Sequence, residues 1–487
     1  MFECWYASRE PPESAALLDR VREAGRAEAR AAAERLVAAG ELLVLRCRES
    51  GERAEWSADA WDAVAAQVAA ASGCSVAMGH SYVRYAMAIR DRLPQVGKAF
   101  RAGNIDYRAF QTIVFRTDLI TDADVLARVD AQLAVLVSRR PSLTRGGLAA
   151  AVDRVVAVVD ADAVRRARQA VADRYVDVLS NDSGMAYMTG SIFATDGKAL
   201  DRRLDELAAT VCEADPRTAT QRRADALGAL ATGAQRLVCG CGRGDCAAGR
   251  SALKSNVVIH VVAEQASLEG RGCAPAVLPG VEGLIPAEVV AELAKSARLV
   301  PLIAPAHAES RYTPSAKLAD FVRCRDVTCR APGCDRPATE CDVDHTIPYA
   351  DGGATHASNL KALCRSHHLM KTFWGWRDWQ LPDGTVIWTL PDGHTYVTTP
   401  GSALLFPSLC APTGDAPASP IPRPERCADR TAMMPRRRST RAQNHAHRIA
   451  TERRHNHRAR QAKGQEREAA YFGPAPPADA DDEPPPF

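Results

Sequence analysis

Apolar residues recur at helical spacing through most of residues 17–300. The stretch at 17–47, LLDRVREAGRAEARAAAERLVAAGELLVLRC, is rich in strong helix formers and predicts one long helix. A second helix is expected over 61–71. Gly73 then turns the chain, and Ser75 is placed to cap a third helix, VAMGHSYVRYAMAIRDRL, which stops before Pro94. Two helices about a Gly-containing turn fit either a DNA-reading helix-turn-helix or a plain helical hairpin. Further helices are expected at 122–139, 143–158 and 161–173. The segments YVDVL and MAYMTGSIF, on either side of the turn residues 181–184, predict a β-hairpin. Thr195 or Asp196 can cap the next helix, and DPRTATQRRADALGALATGA supplies another after Asp215-Pro216. NVVIHVVA at 256–263 reads as β-like, and a further helix is expected near 287–297.

The pattern changes after the helical part. GWRDWQLPDGTVIWTLPDGHTYVTTP at 375–400 alternates aromatic and polar residues around two Pro-Asp-Gly turns, which predicts a short antiparallel sheet. Trp374, Trp376, Trp379 and Trp388 either stack on bases or form the core this small region otherwise lacks. From 409 onward large apolar residues become rare, so residues 409–487 read as a disordered Arg-rich tail with an acidic end. The arginines there, interleaved with His445, His447, His455 and His457, suit either contact with DNA phosphates or simple solvation.

At 487 residues the chain is too long for a single core, and two or three domains are expected. Aromatic residues make up only 6%, which favours helices packed through small side chains over a large sheet. The N-terminal MFECWYASREPPESA has no basic start followed by an apolar core, and no apolar run approaches the ~20 residues that cross a bilayer. No membrane partner and a cytoplasmic location are therefore expected. A net charge of +3 gives no bulk argument for a nucleic-acid partner, so any such argument must be local. The 15 cysteines concentrate in two windows, 239–246 and 324–364, and such clustering in a reduced compartment favours metal ligation.

Residues 324–376 carry the chemistry: CRDVTCRAPGCDRPATECDVDHTIPYADGGATHASNLKALCRSHHLMKTFWGW. Cys329 with Cys334, and Cys364 with His367, form two close pairs that together offer Zn²⁺ a tetrahedral set. Cys324 and Cys341 are spare thiols able to replace one of these. Asp344 and His368 can give a carboxylate oxygen and an imidazole nitrogen to a second, catalytic divalent ion. Mg²⁺ or Mn²⁺ suits that set, and Zn²⁺ or Ni²⁺ remains open. His345 needs no metal and is suited to act as a general base toward water. Asn359 can fasten the intervening loop, which Asp351-Gly352-Gly353 turns sharply. Lys371 is either a phosphate contact for DNA or a solvated lysine. Outside this segment, Cys239, Cys241 and Cys246 give a possible second zinc site, with Cys212, His260 and Cys273 as candidates for a fourth ligand.

The ordered set Asp344-His345, Asp351-Gly352-Gly353, Asn359-Leu360, Leu363-Cys364, His367-His368 and Lys371 resembles the HNH endonuclease signature of the ββα-metal fold. The resemblance implies that His345 is the general base, that Asn359 holds the loop, and that His368 binds the catalytic metal with Asp344. It also implies DNA cleavage to a 5′-phosphate and a 3′-hydroxyl. His367 stands where zinc-containing members usually carry a second cysteine. Upstream, AIRDRLPQVGKAFRAGNIDYRAFQTIV at 88–114 and DPRTATQRRADAL at 215–227 resemble the domain of unknown function 222 in actinobacterial 13E12 repeat proteins. The expected organisation is an N-terminal segment at 1–16, a mainly α domain with a small β-hairpin at 17–300, and an HNH nuclease domain with zinc knuckles and a following sheet at 310–400. The tail completes it, and oligomeric state is left open. A non-catalytic, zinc-stapled DNA-binding or regulatory protein is the alternative to the endonuclease.

Overall fold

A computed structural model describes residues 12–139, 144–164, 175–180, 185–246, 260–278, 284–295, 297–305, 307–414 and 433–472. The helix-forming stretch becomes α1 (Pro12–Ser50). In α2 (Ala60–Ser72), Asp59 and Asp62 cap each other's backbone reciprocally. Ser75 caps α3 (Val76–Met87) as expected. Pro94 does end that run, but only after a π turn, and it also opens α4 (Pro94–Arg101). Pro fits there because its fixed φ and missing N–H cost nothing in a first turn. Asp106 then caps α5 (Tyr107–Thr117), followed by α6 (Ala123–Arg139) and α7 (Arg145–Val159).

Helices α2 and α3 form a plain hairpin sealed by small residues. A Cβ added to Gly79 would lie 2.1 Å from the Ala65 carbonyl oxygen, so only glycine permits this approach. Tyr82, Val83, Tyr85 and Ala86 of α3 are buried, which leaves little of that helix for a DNA groove.

Strands β1 (Tyr175–Ser180) and β2 (Ala186–Ser191) form the expected antiparallel hairpin, with its turn outside the described residues. The helix expected at 161–173 also falls mostly outside them. In α8 (Ala194–Ala208) neither Thr195 nor Asp196 is the cap; Asp196 sits within the first turn, where its charge suits the helix dipole. Thr218 caps α9 (Ala219–Ala231) through a capping box with Gln221. Of the β-like run at 256–263, the described part gives one bridge, Val262 to Val277. A short helix, α10 (Gln265–Leu268), and a two-residue ladder, β3 (Ala276–Val277) with β4 (Leu284–Ile285), lead to α11 (Ala287–Ala294).

The C-terminal module begins with α12 (Ala316–Asp326). Strands β5 (Asp342–His345) and β6 (Leu360–Leu363) pair antiparallel and α13 (Arg365–Phe373) follows directly, a ββα unit. A meander of β7 (Arg377–Gln380), β8 (Val386–Thr389) and β9 (Thr395–Thr398) covers it. Trp374, Trp376 and Trp388 are buried in the core, whereas Trp379 is exposed. Buried Arg325 and Arg330 tie the parts together. Arg325 donates to the Ala357 and Leu360 carbonyls at 2.8 and 2.7 Å, and Arg330 to the Thr398 carbonyl at 2.6 Å.

The module and the helical domain share one hydrophobic core, which runs from Ala29 and Val64 through Trp56 to Leu369, Trp376 and Trp388. The Trp374 indole N–H donates to the Ala58 carbonyl at 3.0 Å. Gly333, at φ 67°, comes so close to α2 that an added Cβ would lie 2.5 Å from the Cys74 carbonyl oxygen.

Residues 433–472 depart from the disorder expected of the tail. Helix α14 (Arg441–Phe472) lies along the helical domain. Arginines of this segment are matched by aspartates: Arg437, just before the helix, and Arg441 by Asp59 and Asp62, Arg453 by Asp160, and Arg460 by Asp162. Ile449 and Asn456 are buried, and the Asn456 amide donates to the Asp162 carbonyl at 2.9 Å. Composition alone argued for disorder because the acidic partners of this segment lie far back in the chain, at separations from 293 to 382. No helix among the described residues is long and apolar enough to cross a membrane.

Candidate active site

The turn after α12 and the N-terminus of α13 bring the two expected knuckles together. Ligand atoms of Cys329, Cys334, Cys364 and His367 all lie within 4.8 Å of one another. The His367 Nδ1 faces the sulfurs of Cys364 and Cys329 at 3.3 and 3.6 Å. Cys329, Cys364 and His367 are buried. Three thiols and an imidazole converging without any other acid or base to balance them form a donor set that fits a soft or borderline cation such as Zn²⁺. Among the two adjacent histidines it is His367 that joins the sulfurs. The spare thiols do not compete: Cys341 faces the Pro337 carbonyl at 3.2 Å, and Cys324 packs in a separate apolar cluster.

Strand β5 presents Asp342 and Asp344 to α13. Asp342 Oδ2 lies 2.9 Å from His368 Nδ1, and the other ring nitrogen, Nε2, lies 3.5 Å from Asp344 Oδ1. The second oxygen of Asp344 is held by two ammonium groups, those of Lys361 at 2.8 Å and Lys371 at 2.7 Å. Asp378 of β7 balances the same lysines at 2.5 and 3.1 Å. Burial opposes the charge on Asp344, but Lys361 and Lys371 outweigh it and hold the carboxyl well below its usual range. Burial likewise works against Lys361, and the two carboxylates more than offset it. Lys371 therefore does not face solvent as a phosphate contact. Its ammonium also donates to the His345 carbonyl at 2.6 Å, because α13 directs it into this network.

His345, next along β5, sits in a different setting. Its ring stacks on Tyr312 with centroids 5.4 Å apart and meets Tyr349 edge-on at 5.9 Å. Its Nε2 lies 2.9 Å from the Thr355 hydroxyl, which reaches the Tyr312 carbonyl at 3.5 Å. If that hydroxyl gives its proton to the carbonyl, Nε2 carries the imidazole proton and Nδ1 is the basic nitrogen. Burial lowers the imidazole pKa from its ordinary value, so the neutral form is favoured. Asn359 is buried and binds the 346–354 loop at both of its ends. Its Oδ1 accepts from Ile347 N at 2.8 Å, and its Nδ2 donates to the Ile347 and Ala354 carbonyls at 3.0 and 2.9 Å. The turn needs both of its glycines: Gly352 has φ 85°, and a Cβ on Gly353 would lie 1.9 Å from the Ile347 carbonyl oxygen.

Asp342, Thr355, Lys361, Asp378 and the two tyrosines were not singled out from sequence. The first four lie among ordinary-looking strand and loop positions, although Asp342 stands two residues before Asp344, on the same side of a strand.

The ββα unit, its Cys₃His cluster and the Asp-His pair beside it define an HNH-type module. An HNH endonuclease domain is matched at residues 324–373, which places the chain among nucleases or DNA-binding proteins. The domain of unknown function DUF222 is matched over residues 23–326, more than half of the chain, and the protein belongs to that family. Among its relatives, uncharacterised protein Rv3776 of Mycobacterium tuberculosis is 45% identical over 91% of this chain and 90% of its own length. Rv2100 of the same species is 43% identical over 91% of this chain and 88% of its own length. No solved structure matches.

Proposed function

We propose that the chain is a metal-dependent endonuclease that hydrolyses DNA phosphodiester bonds. The observation that carries this reading is the 3.5 Å approach of Asp344 Oδ1 and His368 Nε2. Adjacent ligands of an octahedral ion with bonds of about 2.1 Å stand about 3 Å apart, so these two atoms fit one divalent ion, Mg²⁺ or Mn²⁺ before Zn²⁺ or Ni²⁺. Such an ion supplies charge neutralisation at the phosphate and at the departing oxygen. Asp342 fixes the ring of His368 through Nδ1, which leaves Nε2 toward Asp344. Lys361 and Lys371 keep Asp344 ionised and turn one of its oxygens away from the ion.

His345 takes a proton from water as the water oxygen forms a bond to phosphorus. The bond from phosphorus to the 3′ oxygen breaks, leaving a 5′-phosphate and, after proton uptake from solvent, a 3′-hydroxyl. Tyr312, Tyr349 and Thr355 hold the imidazole for this role, and Asn359 keeps the intervening loop closed. The Cys₃His set holds a structural Zn²⁺.

One observation favours the second reading, a DNA-binding or regulatory protein without cleavage. Asp344 already has two ammonium partners, which weakens its attraction for a further cation. Plasmid cleavage by the purified protein with Mg²⁺, Mn²⁺ or EDTA, beside His345→Ala, separates the two. Metal-dependent cutting that the variant loses while still binding DNA supports the endonuclease. Binding by both without cutting under any metal removes it.

A further inference from the structure

The helical domain carries a second sulfur cluster that the HNH site does not use. Cys212 follows α8, while Cys239, Cys241 and Cys246 lie on the passage after α9, yet the four sulfurs lie within 4.8 Å of one another. The sulfurs of Cys212 and Cys239 are 3.5 Å apart across 27 residues of sequence. In a tetrahedron with Zn–S bonds of about 2.3 Å, neighbouring sulfurs stand about 3.8 Å apart, so the spacing is that of a ligand set.

The backbone is shaped for the same end. Gly242, at φ 70°, lets the chain turn inside the cluster.

Hydrogen bonds that involve no ion hold the two segments in register. The Asp215 carboxylate accepts from Gly240 N at 2.8 Å and from Arg217, and Arg217 donates onward to the Val238 carbonyl at 2.6 Å. The Thr210 hydroxyl accepts from Leu237 N at 2.8 Å. Few residues here are fully buried, Leu207, Ala226 and Leu237 among them, so the α8–α9 pair has a thin core of its own.

We propose that Cys212, Cys239, Cys241 and Cys246 bind a second, structural Zn²⁺ that fastens the passage after α9 to the end of α8. Cys212 supplies the fourth ligand; His260 and Cys273 are not part of the set. Binding releases the thiol protons to solvent and changes no oxidation state. With four thiolates the coordination is closed, so the ion has no position for water and stabilises structure only.

The test uses the full-length protein purified without added chelator. Elemental analysis should find two zinc ions per chain, and Cys241→Ser with Cys246→Ser should leave one. Should that variant fail to fold, zinc-edge X-ray absorption of the wild type reads the ligands directly. Two sites give an average near seven sulfurs to one nitrogen per pair of ions, and the HNH cluster alone gives three to one. A three-to-one ligand ratio, or a folded Cys241→Ser with Cys246→Ser variant that keeps all of its zinc, overturns the proposal. None of these readouts depends on whether the protein cuts DNA.

Discussion

The two sulfur clusters have four ligands each, but their surroundings differ. Cys329, Cys364 and His367 are buried, and His367 lies 5.5 Å from the Trp376 ring inside the core shared by the two domains. The Cys212 cluster is half-exposed and is held mostly by polar contacts. A metal at the first site is coupled to everything that core supports, including α2 and the strand that carries Asp344 and His345. A metal at the second is coupled mainly to one helix pair. Equal chemistry would therefore give a global fastening in one place and a local one in the other.

The largest effect on the fold is expected from Cys364→Ser. Zinc binding in small modules is worth about 10–16 kcal/mol against a typical stability of about 5–15, so the ββα unit should not fold without its ion. Circular dichroism melting and zinc content should both drop, and a variant that keeps its zinc and its melting temperature would break the comparison. Competition with a chromogenic chelator sharpens it: release should be biphasic, with the half-exposed cluster emptied first. A single phase for both ions would mean that burial does not separate them.

Next in size is Gly353→Ala, whose Cβ has no room beside the Ile347 carbonyl. Asn359→Ala orphans three hydrogen bonds, each worth about 1–3 kcal/mol when a buried partner is left unmatched. Both should lower the melting temperature and slow cleavage together, without loss of zinc. His345→Ala should change the fold least of these yet slow cleavage by about 10²–10⁴, the range for a lost general base. Unchanged cleavage in that variant would remove His345 from the mechanism.

The smallest effect concerns α14. Arg460 holds the Asp162 carboxyl below its usual pKa of 3.8, although burial acts in the opposite direction. Docking through this pair is thus fully present above that value and fades only as pH falls beneath it. Arg460→Ala should therefore speed proteolysis of residues 441–472 at about pH 5 and above, and the difference from the wild type should shrink only as pH falls below the usual Asp162 value.

Much of the site could be read from sequence because its chemistry is local. The Cys329–Cys334 and Cys364–His367 pairs, Asp344-His345 and the double-glycine turn declare themselves by spacing. Asn359 ties the loop through the contacts expected of its amide. What could not be read depends on distant partners. Lys371 looked like a surface cation because nothing near it in sequence reveals Asp344 and Asp378 closing on it. Cys212 was one of three possible fourth ligands until the fold placed it against Cys239. Among the helices, the pattern from 88 to 114 hid α4 and α5, since the chain restarts a helix at Pro94 after a π turn.

The pairing of α14 with aspartates bears on how the protein would respond to ionic strength. An arginine free in solution carries loosely held anions, and DNA gives up condensed cations when it binds one, which makes affinity fall steeply with salt. Arg437, Arg441, Arg453 and Arg460 are already neutralised from within the chain. For them, contact with a phosphate is an exchange of one carboxylate for one phosphate rather than a new neutralisation. The aspartate left behind loses its partner, so the exchange gains less than a new neutralisation would. A polyanion would then be held by this chain more weakly, at a given ionic strength, than its count of arginines implies.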